Sequence, residues 1–338
     1  MTDPRTSAPR VLPLVLGVLL ATGAAGAWWL DTARPVPPDE VARAEAWRGT
    51  EALLAAPAPA PAPAAAWADV RADLTRQLEA LGPAPDDRTS AAARAGRPSP
   101  AGGTGGVSTG DAGDAAEPGA TASAALRTTA TALAGDALAA EDPALARVLA
   151  AAAVSRATAA RQLAAPQVPA PAGADLCDAA GDPAPGGTTA PGAVLWSALD
   201  RAGYAFEALA ARTGTAPDAA APDGAAPAGA VPAELAARAR ADVEELLGSP
   251  SARRVLAADP GLPAGAYVLP EDVRAHPGRV ADTAARDVQE AAAHVLARGD
   301  AGDRCWALVA LERATGLRAG LTGEVDALPG VVRDDPPR

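Results

Sequence analysis

The sequence predicts an all-α fold: an antiparallel four-helix bundle with an accessory helical pair, preceded by a single N-terminal transmembrane helix. Three observations carry this. Apolar residues recur at alternating spacings of three and four over much of the chain beyond residue 121, which is the period of one helix face. No segment alternates with period two and β-branched residues, as a half-buried strand requires. Finally, the 49% hydrophobic content is rich in alanine, which favours helix but buries little area per residue. Helices must then approach closely, and Trp67, Leu149, Trp196, Tyr204, Phe206 and Trp306 become the expected core anchors.

In chain order, residues 1–10 carry Arg5 and Arg10 and precede the apolar stretch 11–30, about the ~20 residues a bilayer span needs. Positive charge before the span places residues 1–10 in the cytoplasm, with Trp28 and Trp29 at the outer interface. The alternative is a signal peptide cleaved after Ala27, because Ala25-Gly26-Ala27 is a small-residue site behind an apolar region. Both readings put the body outside the cytoplasm, and no cysteine closes the segment as a lipoprotein would require.

Residues 31–121 read as a helical stalk and linker. Helices are expected over 39–55 and 67–81, separated by the tract APAPAPAPA, an extended polyproline spacer of roughly 28 Å at ~3.1 Å per residue. Residues 82–121, rich in Gly, Pro, Ser and Ala with few large apolar side chains, read as disordered. Accessory helices follow over 122–139 and 142–164, the second with Asp142 as N-cap and Pro143 at the first helical position, and then a loop over 165–190.

The bundle is expected over 191–330. Its first helix, 191–212, aligns Leu195, Leu199, Ala202, Phe206 and Leu209. The second, 232–247, aligns Leu235, Ala239, Val243 and Leu246, and the third, 279–298, aligns Val280, Ala284, Val288, Ala291 and Val295. The fourth, 303–328, runs from Trp306 to Leu328 before Pro329-Gly330 ends it. Residues 331–338 read as a disordered tail.

The net charge of −12 is spread with mostly single arginines among carboxylates, and no basic run interleaves with aromatics, so nucleic acid is not an expected partner. An acidic body is also repelled by anionic headgroups, which leaves residues 11–30 as the contact with the cytoplasmic membrane. The chain has no lysine, asparagine or isoleucine, the residues of AT-rich codons, which points to a GC-rich bacterial genome such as that of an actinobacterium.

Residues 191–330 resemble the ferritin-like domain of unknown function found in exported actinobacterial proteins. The segment ALDRAGYAFEALAAR is similar to the family's first bundle helix, with Tyr204 and Phe206 matching its aromatic pair. AYVLP at 266–270 resembles the loop into the third helix, and LPGV at 328–331 its closing Phe-Pro-Gly-Leu. The resemblance implies a ferritin-like bundle with no established activity. It also implies departures: the family's Glu-His step falls on Leu199 and Asp200, its third-helix Glu falls near Gln289, and ELAARARADVEELL lacks the expected histidine and paired arginines.

A di-iron site needs carboxylates and Glu-x-x-His pairs converging from four helices. The two histidines here are His276, in a loop before Pro277, and His294, which stands four residues after Glu290. Glu290 and His294 are the weak candidate for a mononuclear metal site, against the plainer reading of a solvated helix face. Cys177 and Cys305 are expected to form a disulfide in an oxidising compartment. Trp196, Tyr204, Phe206 and Trp306 are expected core aromatics. Asp200 and Glu207 share a helix face, for which a solvated flank is the plainer reading than acid–base chemistry. There is no Gly-rich phosphate loop, Gly-x-Ser-x-Gly elbow or zinc spacing. The expectation is a non-catalytic extracytoplasmic scaffold or binding module without cofactor, with an envelope protein as a possible partner; the alternative is a metal-dependent, di-iron-like oxidoreductase with a degenerate ligand set.

Overall fold

The computed structural model describes residues 35–57, 64–96, 118–164, 177, 190–213, 231–262, 267–269, 273 and 275–331. Among these the protein is all-helical, with α1 Pro38–Ala55, α2 Ala64–Leu81, α3 Asp87–Gly96, α4 Pro118–Ala139 and α5 Pro143–Leu163. There follow α6 Ala190–Thr213, α7 Ala233–Leu247, α8 Pro250–Ala258, α9 Pro277–Arg298 and α10 Ala301–Thr322. The expected membrane segment, 11–30, the tail from 332 and most of the Ala-Pro tract lie outside the described residues. No helix among the described residues is long and apolar enough to cross a membrane.

Side-chain caps account for the helix starts. The Asp142 carboxylate accepts the Ala144 amide at 2.8 Å in front of Pro143, as its sequence position implies. Asp300 does the same for α10, accepting from the Asp303 amide at 2.9 Å, so this helix begins earlier than expected. It also ends earlier. Gly323 adopts φ +78° and caps the helix at Thr322, and the following residues turn back instead of continuing the stripe to Leu328.

Two helices fall where loops were expected. α8 starts at Ser249, whose hydroxyl accepts the Ala252 amide at 3.2 Å ahead of Pro250. α3 lies inside the 82–121 segment expected to be disordered. Asp86 accepts the Thr89 amide at 2.7 Å near its start, and Ala93 is fully buried. The helix packs against α1, and alanine suffices for that contact because the backbones lie close.

Helices α6, α7, α10 and α9 pack in a closed ring, each against the next, and α9 returns to α6. Trp306 on α10 is buried and donates its indole N–H to the Leu246 carbonyl on α7 at 3.1 Å. The α4–α5 hairpin packs on the α9–α10 side of this ring. The expected stalk is part of the body: α1 and α2 pack on each other and on α5. With α4 they enclose a second core of Leu53, Trp67, Val70, Leu74, Leu126, Ala159 and Ala160. A spacer cannot hold these helices away from the rest when both ends bury apolar side chains against it.

Polar contacts fix this junction. Arg156, 2% exposed on α5, donates from Nε to the Gln77 side-chain oxygen on α2 at 2.9 Å and from a terminal nitrogen to the Thr50 hydroxyl on α1. Gln77 in turn donates to Ser155 at 3.2 Å and to the Ala327 carbonyl at 3.1 Å. No carboxylate pairs with Arg156 among the described residues, and burial lowers its pKa to about 10. The guanidinium stays charged near neutrality.

The α1–α4 contact carries a partly buried carboxyl. Asp136 is pushed up to about 6, first by burial and then by the nearby Glu45. The folded state therefore keeps this proton to higher pH than the unfolded chain, whose carboxyl titrates near 3.8, and stability contributed by the protonated form is lost as pH rises through that window. Asp136→Asn is expected to raise stability at pH 7.5 by about 1 kcal/mol once solvent screening is allowed for. Urea melts at pH 7.5 and pH 4 check this: the gain should shrink at the lower pH, and an equal gain at both would contradict the assignment.

Candidate binding cleft

The cysteines meet. Cys177 and Cys305 lie at disulfide distance, with Cα atoms 5.6 Å apart, tying a residue between α5 and α6 to the first turn of α10. Trp196, Phe206 and Trp306 are buried at 5%, 2% and 4% exposure, as the stripe pattern predicts. Tyr204 is not a core residue, being 39% exposed. It stands two positions from Phe206, about 200° around the helix, and its ring lies 5.8 Å from that of Tyr267. The Tyr267 hydroxyl donates to Asp200 at 2.7 Å, so Asp200 anchors the loop entering α9, while Glu207 is exposed.

The candidate metal pair lies on the outside of α9. Glu290 is exposed. His294 is partly buried and its pKa is lowered, first by burial and then by Arg298 and Arg147. Two guanidiniums next to an imidazole also disfavour a bound cation. His276 sits at the N-cap position of α9 without a side-chain cap bond. Among the described residues no three His, Cys, Asp or Glu side chains cluster as metal ligands.

The centre of the helix ring is apolar. A small pocket of about 30 Å³ lies among Leu199, Phe206, Val243, Leu246 and Val288, with Asp242 and Arg313 at its border. Gln289, at the position implied to hold a glutamate, is 1% exposed. Its side-chain nitrogen donates to Thr315 at 2.9 Å and its oxygen accepts from Arg318 at 3.1 Å. Gly330 seals the spot at φ +73°, where a Cβ would stand 2.5 Å from the Gln289 carbonyl oxygen; only glycine fits.

An open cleft of about 470 Å³ lies beside the ring, where α5, α7 and α10 meet. Glu312 on α10 is 2% exposed and accepts a hydrogen bond on Oε1 from Arg161 of α5 at 2.5 Å. Arg161 also donates to Thr158 at 3.0 Å, which fixes its plane. Burial raises the Glu312 pKa against the opposing pull of Arg161. Among the described residues Oε2 of Glu312 accepts no hydrogen bond, and it is not fully enclosed. Glu245 and Asp242 on the α7 wall hold Arg313 of α10 at 2.7 Å and 3.5 Å, while Arg238 is exposed and forms no ion pair or hydrogen bond among the described residues, its charge acting on Asp242. Gly316 forms the floor, with nothing within 4 Å of an added Cβ.

Comparison with protein-family models, with curated proteins and with solved structures found no match. Function must therefore be read from the chemistry of these residues. None of the cleft's charged residues stood out in the sequence, because Glu312 falls between Ala310 and Ala314 and reads as a flank. Arg156 did leave a signal, as a lone charge within the alanine-rich run 149–160.

If Cys177 and Cys305 are bonded in solution, thiol labelling of unreduced, denatured protein finds neither reactive. Reduction should then lower the stability by about 4–5 kcal/mol in the chain-entropy account of so long a loop, measured by urea unfolding. Labelling of both cysteines before reduction would contradict the pairing.

Proposed function

We propose that this chain is a non-catalytic binding module or envelope scaffold, held on the outer face of the cytoplasmic membrane by residues 11–30. In this reading α6, α7, α9 and α10 form a ferritin-like antiparallel four-helix bundle, and α4–α5 are its accessory pair. The observation that carries it is the mainly apolar centre of the helix ring: Leu199, Phe206, Val243 and Val288 occupy the space in which a di-metal bundle gathers its carboxylates and imidazoles, and the one carboxylate at its border, Asp242, is paired with Arg313. Gln289, where the resemblance implies a glutamate, is a neutral amide engaged by Thr315 and Arg318.

Placement outside the cytoplasm is supported by the apolar segment behind Arg5 and Arg10 and by the cysteine pair, which suits an oxidising compartment. Cleavage after Ala27 would release the same body instead of anchoring it. Since α1 and α2 pack on α5, a chain beginning at residue 122 would expose that face.

Elemental analysis tests the reading. The full chain, purified in detergent after growth in medium replete with iron, manganese and zinc, is expected to carry well under one metal ion per chain. About two ions per chain would overturn the metal-free reading and make the oxidoreductase alternative the leading one.

A further inference from the structure

A second open cleft, of about 490 Å³, lies between α6 and α9. Ala198, Ala202 and Ala205 of α6 and Ala284 of α9 line it, and side chains this short leave a trough where longer ones would fill it. Its rims are polar. Arg201 and Tyr204 stand on α6, Arg279, Thr283 and Asp287 follow at spacings of four along α9, and residues 267–269 supply a third wall.

Two kinds of surface meet there. The exposed Tyr204 ring and the Tyr267 ring, 5.8 Å away and tilted by 52°, form an aromatic corner, and Val268, next in the chain, stands open to solvent. Arg201 and Asp287 form an exposed ion pair at 3.6 Å, too long for a hydrogen bond. Among the described residues neither makes any hydrogen bond, so the guanidinium keeps its donors and the carboxylate its acceptors for a ligand. Such a ligand must lay an apolar face on the ring and the alanines, while its edge both accepts from Arg201 and donates to Asp287. Hydroxyl groups do both. A wholly apolar ligand would desolvate the pair without return, and a proline-rich segment, which aromatic grooves also take, lacks an N–H at every proline.

We propose that the α6–α9 cleft binds a neutral hexopyranose glycan, one sugar ring laying its C–H face on Tyr204 and its hydroxyls bridging Arg201 and Asp287. The negative face of an aromatic ring suits the weakly positive C–H groups of a pyranose, and about 490 Å³ lies within the range of small-molecule sites. The inference rests on the binding-module reading and adds the ligand class to it.

Saturation-transfer NMR of the full chain, held in a detergent without sugar headgroups, tests it with maltotetraose, cellotetraose and chitotetraose, and with the peptide APAPAPAPA as the competing kind of occupant. Saturable binding of at least one tetrasaccharide is expected, and none of the peptide. Tyr204→Leu, Arg201→Ala and Asp287→Ala should each weaken the sugar about 10-fold. Melting temperature should hardly move, because the three side chains are exposed and a surface ion pair contributes little. No saturable binding of any tetrasaccharide, binding of the peptide in their place, or sugar binding that Tyr204→Leu or the two rim variants leave intact would overturn the proposal. Metal analysis of the same preparation separates the two readings. Absent sugar binding with well under one metal ion per chain overturns the glycan assignment alone, whereas about two ions per chain overturn the reading on which it rests.

Discussion

One buried guanidinium organises the junction between the two halves of this protein. Arg156 sits in the middle of α5, 2% exposed and without a carboxylate partner among the described residues. Withdrawing a charge from water costs several kcal/mol, so its hydrogen-bond acceptors have to be in place whenever the protein is folded. Those acceptors are Thr50 on α1 and Gln77 on α2, and Gln77 reaches on to the chain after α10 through the Ala327 carbonyl. A charge that must be satisfied from two other helices fixes their register against α5. Apolar packing of Leu53, Trp67 and Leu74 alone would tolerate sliding.

The helix ring shows the opposite solution. Its centre is filled mainly by leucine, valine and phenylalanine, and along one edge the buried Gln289 donates to Thr315 and accepts from Arg318. Gly330 lets the chain return across that edge at close range. Polar chemistry with spare capacity is consequently found beside the ring. There Glu312 is buried deeply enough to raise its pKa yet keeps one oxygen free, and Arg313 braces α10 against α7. The cysteine pair fastens the start of α10.

Much of the helical content was legible because a 3.6-residue period needs only a run of apolar side chains. The stripe through Leu195, Leu199 and Phe206 locates α6, and Asp142-Pro143 marks the start of α5 closely. Local signals also misled where a single residue overrode the period. Gly323 ends α10 despite the continuing stripe at Val325 and Leu328, and Tyr204 faces outward because two residues turn a helix by about 200°. α3 was hidden because alanine conceals burial: Ala93 is enclosed without being visibly hydrophobic beside its neighbours. The cleft was illegible for a different reason. Arg161 and Glu312 lie far apart in sequence, and the pairing of two isolated charges across helices leaves no periodic trace.

The central claim, that α1 and α2 belong to one cooperative unit with α5 through Arg156, is tested most directly by native-state hydrogen exchange on the wild-type chain and on Gln77→Leu. The account predicts that amides of α1 and α2 in the wild type open with the same free energy as those of α5. It also predicts that Gln77→Leu lowers all three together by about 2–3 kcal/mol, the cost of leaving a buried charge short of an acceptor. Opening of α1 and α2 at much lower free energy in the wild type, with α5 unmoved by the substitution, would contradict it.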